Sequence, residues 1–422
     1  MSRRFVETEG RRWIEHGIIT PEQHEQIIQL YPERKRAIGF VPLFGSILVG
    51  LGILSFVAAN WQGIPELLRL ALMIAVMSGF YFTGHTQLAK GHDKLGVAFI
   101  ALGLTAFGSG IILTAQMFHL EAYNAFSWIA WATAGLLLTY LYNSRFLYAI
   151  SALLYGIAQF YSSTSFHQFS YAALFLSMVG LGYFAWSRRD RLPVWLFGVL
   201  AVAQSIMLIG VRDWKFIWVF VPAAVLYTLG DLLGGSESNR QGVRRLGGAF
   251  YPLQTVALIA AFLFDWFIVV FADPDSYRAD TIHDLLPDAL PFLIPMAVLL
   301  ALSLLAKARS GRAVTAADWL LFPVLMYFTA AADAIYMIIL FVFSLYQLWL
   351  GYHEESRLRV NLATVLFLIS TMTAYGKLTW DFMDKSLFFI IGGALLLAIS
   401  WVLNRRKRDF FRKPKGGADH VD

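Results

Sequence analysis

Apolar runs of about bilayer-spanning length recur along this chain from Phe40 to Leu403, and nearly every second gap between them is rich in Lys and Arg. A spanning helix needs about 20 mostly apolar residues. In hydrocarbon its backbone polar groups must be satisfied within the spanning element itself. The pattern excludes a soluble globular fold and predicts an all-α polytopic bundle. Fourteen spans fit it, the first at Phe40–Ala59 and the last at Ser386–Leu403, with Phe169–Ser187 and Ala317–Ala331 among those between. Composition agrees: 15% of the residues are charged, against about 25% in a soluble domain.

Cytoplasmic loops carry an excess of Lys and Arg. With the N-terminus inside, 28 basic residues fall in inside segments and five fall outside, namely Arg212, Lys215, Arg278, Lys377 and Lys385; Arg69 lies within a span. Both termini are therefore predicted to be cytoplasmic, although Arg212 and Lys215 run against the rule locally. The net charge of +6 then lines the inner leaflet, where anionic lipid attracts it. Membrane lipids are the expected partners, and nucleic acid is not.

Four segments follow: a cytoplasmic helical segment at 1–39, a membrane region at 40–163, a further bundle at 164–403 and a basic cytoplasmic tail at 404–422. The charged N-terminal stretch does not read as a signal peptide. Within it, Thr20-Pro21-Glu22-Gln23 is a helix start. Thr20 caps, Pro21 suits the first helical position, and Gln23 reaches back in a capping box. An earlier short helix turns at Gly17. Two short helices cannot build a core alone, so residues 1–39 are expected to dock on the membrane surface, on the bundle or on a cytoplasmic protein partner. The longest outside loop, Ala272–Asp288, holds five aspartates and reads as a solvated acidic loop, because its spacing matches no EF-hand.

The patches WIEHGIITPEQHEQII, FGSILVGLGILSFVAANWQGIPELLRLAL and GLTAFGSGIILTAQMFHLEAYNAFSWIAWATAGLLLTYLYNSRFLYAISALLY occur in that order. Together they resemble the bacterial multi-pass membrane proteins of domain of unknown function 2157. The resemblance rests on Trp13, Gly17, Ile18, Glu22, Gln23, Gly45, Gly50, Gly52, Ala58, Asn60, Trp61, Gln116, His119, Trp131 and Ser144, and covers about residues 10–160. It implies a bacterial cytoplasmic membrane and a cytoplasmic N-terminal segment. It implies no catalytic activity.

Gly45, Gly50 and Gly52 recur as Gly103, Gly108 and Gly110 at the same spacing. Such glycines let helices approach closely; the recurrence reads either as convergent small-residue packing or as a duplicated helix pair.

Polar groups at membrane depth are costly and mark function by default. Asp265 lies inside its span, near the outer end, whereas Asp231 sits near a helix end and reads as interfacial, and Lys307 is counted with a cytoplasmic loop. Arg69 sits one turn into the second span, with Glu66 three residues before it on the same face. Glu66 also suits a helix start, and Arg69 can snorkel outward. A second cluster is expected at the outer ends of two spans, with Asn60 and Trp61 after the first and Gln116, His119 and Glu121 after the third. The plainer reading of that cluster is helix caps and an interfacial aromatic belt.

Without cysteine, disulfides and thiolate chemistry are excluded. The chain contains no G-x-x-x-x-G-K-[ST], H-E-x-x-H or G-x-S-x-G motif, so no catalytic residue, metal site or cofactor is expected. Two functional readings remain. The first is a transporter or flippase-like carrier of an amphipathic or lipid-linked solute. The second is a non-transporting sensor or scaffold working through the N-terminal helices and the outer cluster.

Overall fold

A computed structural model describes residues 10, 13–14, 16–29, 63–241, 248–271, 282–310, 313–322, 332–353, 357–379, 390 and 393–394. Among them every regular element is helical, in agreement with the predicted class. Residues 1–73 and 74–422 form two units.

In the first unit, helix α1 (Pro21–Gln29) starts as its sequence requires. The Gln23 amide donates to Thr20 Oγ1 at 3.2 Å, and the Thr20 amide donates to Gln23 Oε1 at 3.0 Å. This reciprocal pair is the capping box. The chain reverses before it at Gly17, whose φ of +70° suits glycine. Amides of Gly17 and Ile18 close that turn onto the carbonyls of Ile14 and Trp13.

Helix α2 (Glu66–Ala89) leads into the second unit. There follow α3 (Asp93–Met117), α4 (Phe126–Tyr142), α5 (Arg145–Ser165), α6 (Tyr171–Leu176), α7 (Gly182–Arg188), α8 (Arg191–Val211), α9 (Phe220–Gln241), α10 (Tyr251–Phe271), α11 (Ile282–Ser310), α12 (Ala332–His353) and α13 (Arg357–Thr379). Seven helices among the described residues are long and apolar enough to cross a membrane: α2, α3, α8, α9 with the turn before it, α10, α11 and α12. The predicted spans Phe40–Ala59 and Ser386–Leu403 fall, apart from residues 390, 393 and 394, outside the described residues.

Many large apolar side chains point outward; Phe82 and Leu141 are each 72% exposed. In water each Å² of such surface costs about 25 cal/mol, so this belt is a lipid-facing surface. The interior is sealed by aromatic rings, with Tyr227, Phe262, Phe292, Tyr336 and Phe343 nearly fully enclosed across α9, α10, α11 and α12.

Small residues set the helix approaches on α3. A Cβ on Gly103 would stand 2.7 Å from the Tyr81 ring, and one on Gly108 would stand 2.0 Å from the Trp131 ring, whereas Gly110 faces open space. Gly45, Gly50 and Gly52, the other half of the proposed repeat, lie outside the described residues.

Three elements differ from the sequence reading. The span expected at Phe169–Ser187 is a continuous helical run over residues 171–188, whose middle turn, Ser177–Leu181, is π rather than α. There Ser177 Oγ turns to the Leu174 carbonyl at 2.9 Å and to Gln204 Oε1 at 3.2 Å, a side-chain intrusion of the kind that disturbs a helical ladder. The acidic loop expected at Ala272–Asp288 gives way to α11 from Ile282; residues 272–281 lie outside the described residues. Where a span was expected at Ala317–Ala331, a 3₁₀ helix covers Ala313–Leu321; residues 323–331 lie outside the described residues.

Candidate functional site

The polar residues of α9, α10, α11, the 3₁₀ segment and α12 meet in one enclosed network. Tyr227 and Asp231 lie four residues apart on α9, and Ser303 and Lys307 lie four apart on α11, so each pair shares a helix face. Asp231 is 2% and Lys307 1% exposed. The Lys307 ammonium stands 3.3 Å from Asp231 Oδ1. It also donates to the Tyr227 hydroxyl at 2.8 Å, to Thr315 Oγ1 at 2.8 Å and to the Thr315 carbonyl at 3.2 Å.

Both carboxylates are fully engaged. Asp231 accepts from Gln254 Nε2 at 2.5 Å and from Ser303 Oγ at 2.6 Å. Asp318 accepts from the Tyr227 hydroxyl at 2.7 Å and from Gln347 Nε2 at 2.6 Å. Trp319 Nε1 donates to Ser303 Oγ at 2.8 Å. Gly230 makes room for the first of these contacts, since a Cβ there would stand 2.5 Å from Gln254 Cγ. One lysine and two aspartates thus clamp five elements together. The clamp sits where these helices approach the basic loops, the end the charge count assigns to the cytoplasm.

Beside it lies a cleft of about 20 Å³, lined by Gly230, Gln254, Thr315, Asp318 and Arg359 among others, enough space for about one water molecule. Arg359 Nη2 donates to the Tyr251 hydroxyl at 2.5 Å, with the guanidinium over the Tyr251 ring. Thus α13 closes the cleft's rim.

Asp265 is fully buried, and neither carboxyl oxygen has a hydrogen-bond partner among the described residues. Its neighbours along α10, Phe262, Phe264, Ile268 and Val269, belong to the apolar core. Gln254, Leu258, Ala261 and Asp265 follow i, i+4, i+7 and i+11 spacing, so the clamp residue Gln254 and the enclosed Asp265 share one stripe of α10. They are about 17 Å apart along its axis.

The other predicted residues are dispersed. Glu66 is exposed at the start of α2. Arg69 is half-buried and donates from Nε to the Ile64 carbonyl at 2.6 Å. Asn60 and Trp61 lie outside the described residues. Gln116, His119 and Glu121 do come together, with Asn124, Trp128 and Tyr161, around an open cleft of about 510 Å³. His119 ends α3 in the left-handed conformation, φ 49°, and the Leu120 amide bonds back to the Ala115 carbonyl at 2.9 Å. That is a helix-closing role. Among the described residues no group of three His, Cys, Asp or Glu is placed to hold a metal ion.

The sequence reading passed over the clamp. It set Asp231 at a helix end as interfacial and counted Lys307 with a loop, whereas α11 carries Lys307 inside its last turns. The available signal was the pair of i, i+4 spacings, Tyr227 with Asp231 and Ser303 with Lys307, on otherwise apolar helices.

Residues 11–148, a third of the chain, match the family described as "Predicted membrane protein (DUF2157)". This agrees with the resemblance over about 10–160. No curated protein and no solved structure matches the chain.

Proposed function

We propose that this protein is a carrier of the bacterial cytoplasmic membrane for an amphipathic or lipid-linked solute, closed at its cytoplasmic end by the Lys307 clamp. The observation that carries the reading is Lys307, 1% exposed, paired with Asp231 and linked through the Tyr227 hydroxyl to Asp318. A buried ion pair adds little net stability over apolar packing, and its best-attested use is to select between states. Ionisable groups inside membrane bundles mark pathways. The stripe from Gln254 to Asp265 runs along one face of α10 from the clamp into the core with an acid at its end, and in this reading marks the path that opens for solute. Leu258 and Ala261 between them are apolar, which suits an amphipathic solute better than a multiply charged one.

The enclosure of Asp265 favours a second reading, a sensor or scaffold whose core never admits solute. Site-directed labelling separates the two. The chain has no cysteine, so Ala261→Cys places one thiol on the stripe, between clamp and acid. In inside-out vesicles, a carrier exposes this thiol to a membrane-impermeant maleimide in its open state, and Lys307→Met accelerates labelling. A thiol that stays unlabelled in both backgrounds contradicts the carrier reading.

A further inference from the structure

The geometry points to Asp265 as a proton-binding site, with the clamp controlling when its proton reaches water; this rests on the carrier reading above. Three observations support it. Asp265 is fully buried and its two oxygens meet no hydrogen-bond partner among the described residues. An ionised carboxylate without partners in an apolar interior is so costly that the group neutralises instead. The simplest neutralising ligand is a proton, which needs only one of the two oxygens. A metal cation needs several converging oxygens, and no metal-binding group of acids and histidines occurs among the described residues.

Among the described residues no charged side chain hydrogen-bonds to its carboxyl. On the helices packed against α10, the charged and titratable groups cluster at the two ends. Asp231, Asp318 and Arg359 belong to the clamp and its rim, about 17 Å away. Near Asp265, α8 and α9 themselves bring none, while Arg212, Asp213 and Lys215 stand in the turn that leads to Phe216, whose ring packs on Phe264 and Phe267. Tyr336 of α12 stands as far from the clamp as Asp265 does, by helical rise. Tyr375 and Lys377 of α13 lie near or beyond Thr373, which accepts from Trp266 Nε1 at 2.8 Å. None of these groups hydrogen-bonds to the Asp265 carboxyl.

The step balances simply. With the clamp closed, Asp265 holds its O–H. When the clamp opens and water enters along Leu258 and Ala261, the O–H bond breaks, the proton passes to water, and the electron pair stays on the carboxylate. Closure around an empty site requires the proton back. A solute bearing a cationic group would replace it, so proton and solute would compete for the same oxygen.

Infrared spectroscopy of the full-length protein in nanodiscs tests this without knowing the solute. The difference between the wild type and Asp265→Asn is expected to contain a carboxylic-acid C=O band at neutral pH. Carboxylate bands alone in that difference would overturn the proton site. The band shifts when its proton is replaced in D₂O. That shift is expected to be slow in the wild type and faster by about a hundredfold in Lys307→Met, as the loss of a buried ionic partner implies. Gln347→Leu, a milder lesion of the clamp, is expected to change the rate in the same direction and guards against misfolding of the first variant. A band whose exchange is indifferent to both variants would overturn the coupling to the clamp. An unlabelled Ala261→Cys would instead defeat the carrier reading, whatever the infrared result.

Discussion

Lys307→Met removes the one cation of the clamp and keeps most of its side-chain volume. Across the 3.3 Å to Asp231 Oδ1, the Coulomb attraction at an effective dielectric constant of about 20 is about 5 kcal/mol. The cost of burying both charges offsets most of that, so the net value of the intact pair is small. The cost of breaking it is not. Asp231 keeps Gln254 and Ser303 as donors but loses its counter-charge, and removing one member of a buried pair costs about 3–5 kcal/mol. Asp231→Asn in the same chain neutralises the orphan, so the double variant is expected to be more stable than Lys307→Met alone. Unfolding free energies in mixed micelles for the four members of this cycle give the coupling directly. A loss below about 1 kcal/mol in Lys307→Met, with additivity within about 0.5 kcal/mol, would refute the reasoning.

Gly108→Ala is expected to destabilise the α3–α4 contact by about 1–3 kcal/mol, since the new methyl meets the Trp131 ring; Gly110→Ala, facing open space, is expected to be neutral, and thermal melts compare them. Thr20→Ala breaks the capping box and is expected to cost about 1 kcal/mol of helix stability, read as faster hydrogen exchange over Glu22–His24. Reporter fusions at residues 39 and 422 are expected to give cytoplasmic signals at both positions, and an external signal at either would contradict the charge-based orientation.

The all-helical membrane class was legible in the sequence because lipid imposes a single strong demand, about 20 apolar residues per crossing; of the fourteen spans expected, seven helices among the described residues are long and apolar enough to cross. The capping box and the turn at Gly17 were legible for the same reason that local rules usually are: every group involved lies within a few residues of its partner. The π turn was not; one of the partners Ser177 meets there, Gln204, lies 27 residues away on another helix. The clamp was missed for a related reason. Lys307 looks like any basic residue at the end of a span, and only the packing of α9 against α11 turns it inward onto Asp231. Asp265 stood out as a buried acid, but that its carboxyl meets no hydrogen-bond partner among the described residues depends on the helices packed against α10 and cannot be read from one helix. Glu66, Arg69 and His119 looked equally suggestive; the structure leaves Glu66 exposed, turns Arg69 to a backbone carbonyl and uses His119 to end a helix.

The central claim is that the Lys307 clamp is a gate over the stripe leading to Asp265. A structure of Lys307→Met in lipid nanodiscs, at side-chain resolution, tests it most directly. The account predicts that the ends of α9, α10 and α11 separate and that ordered water follows Gln254, Leu258 and Ala261 to the Asp265 carboxyl. A core that stays closed and dry around Asp265, with only local repacking at position 307, would contradict it.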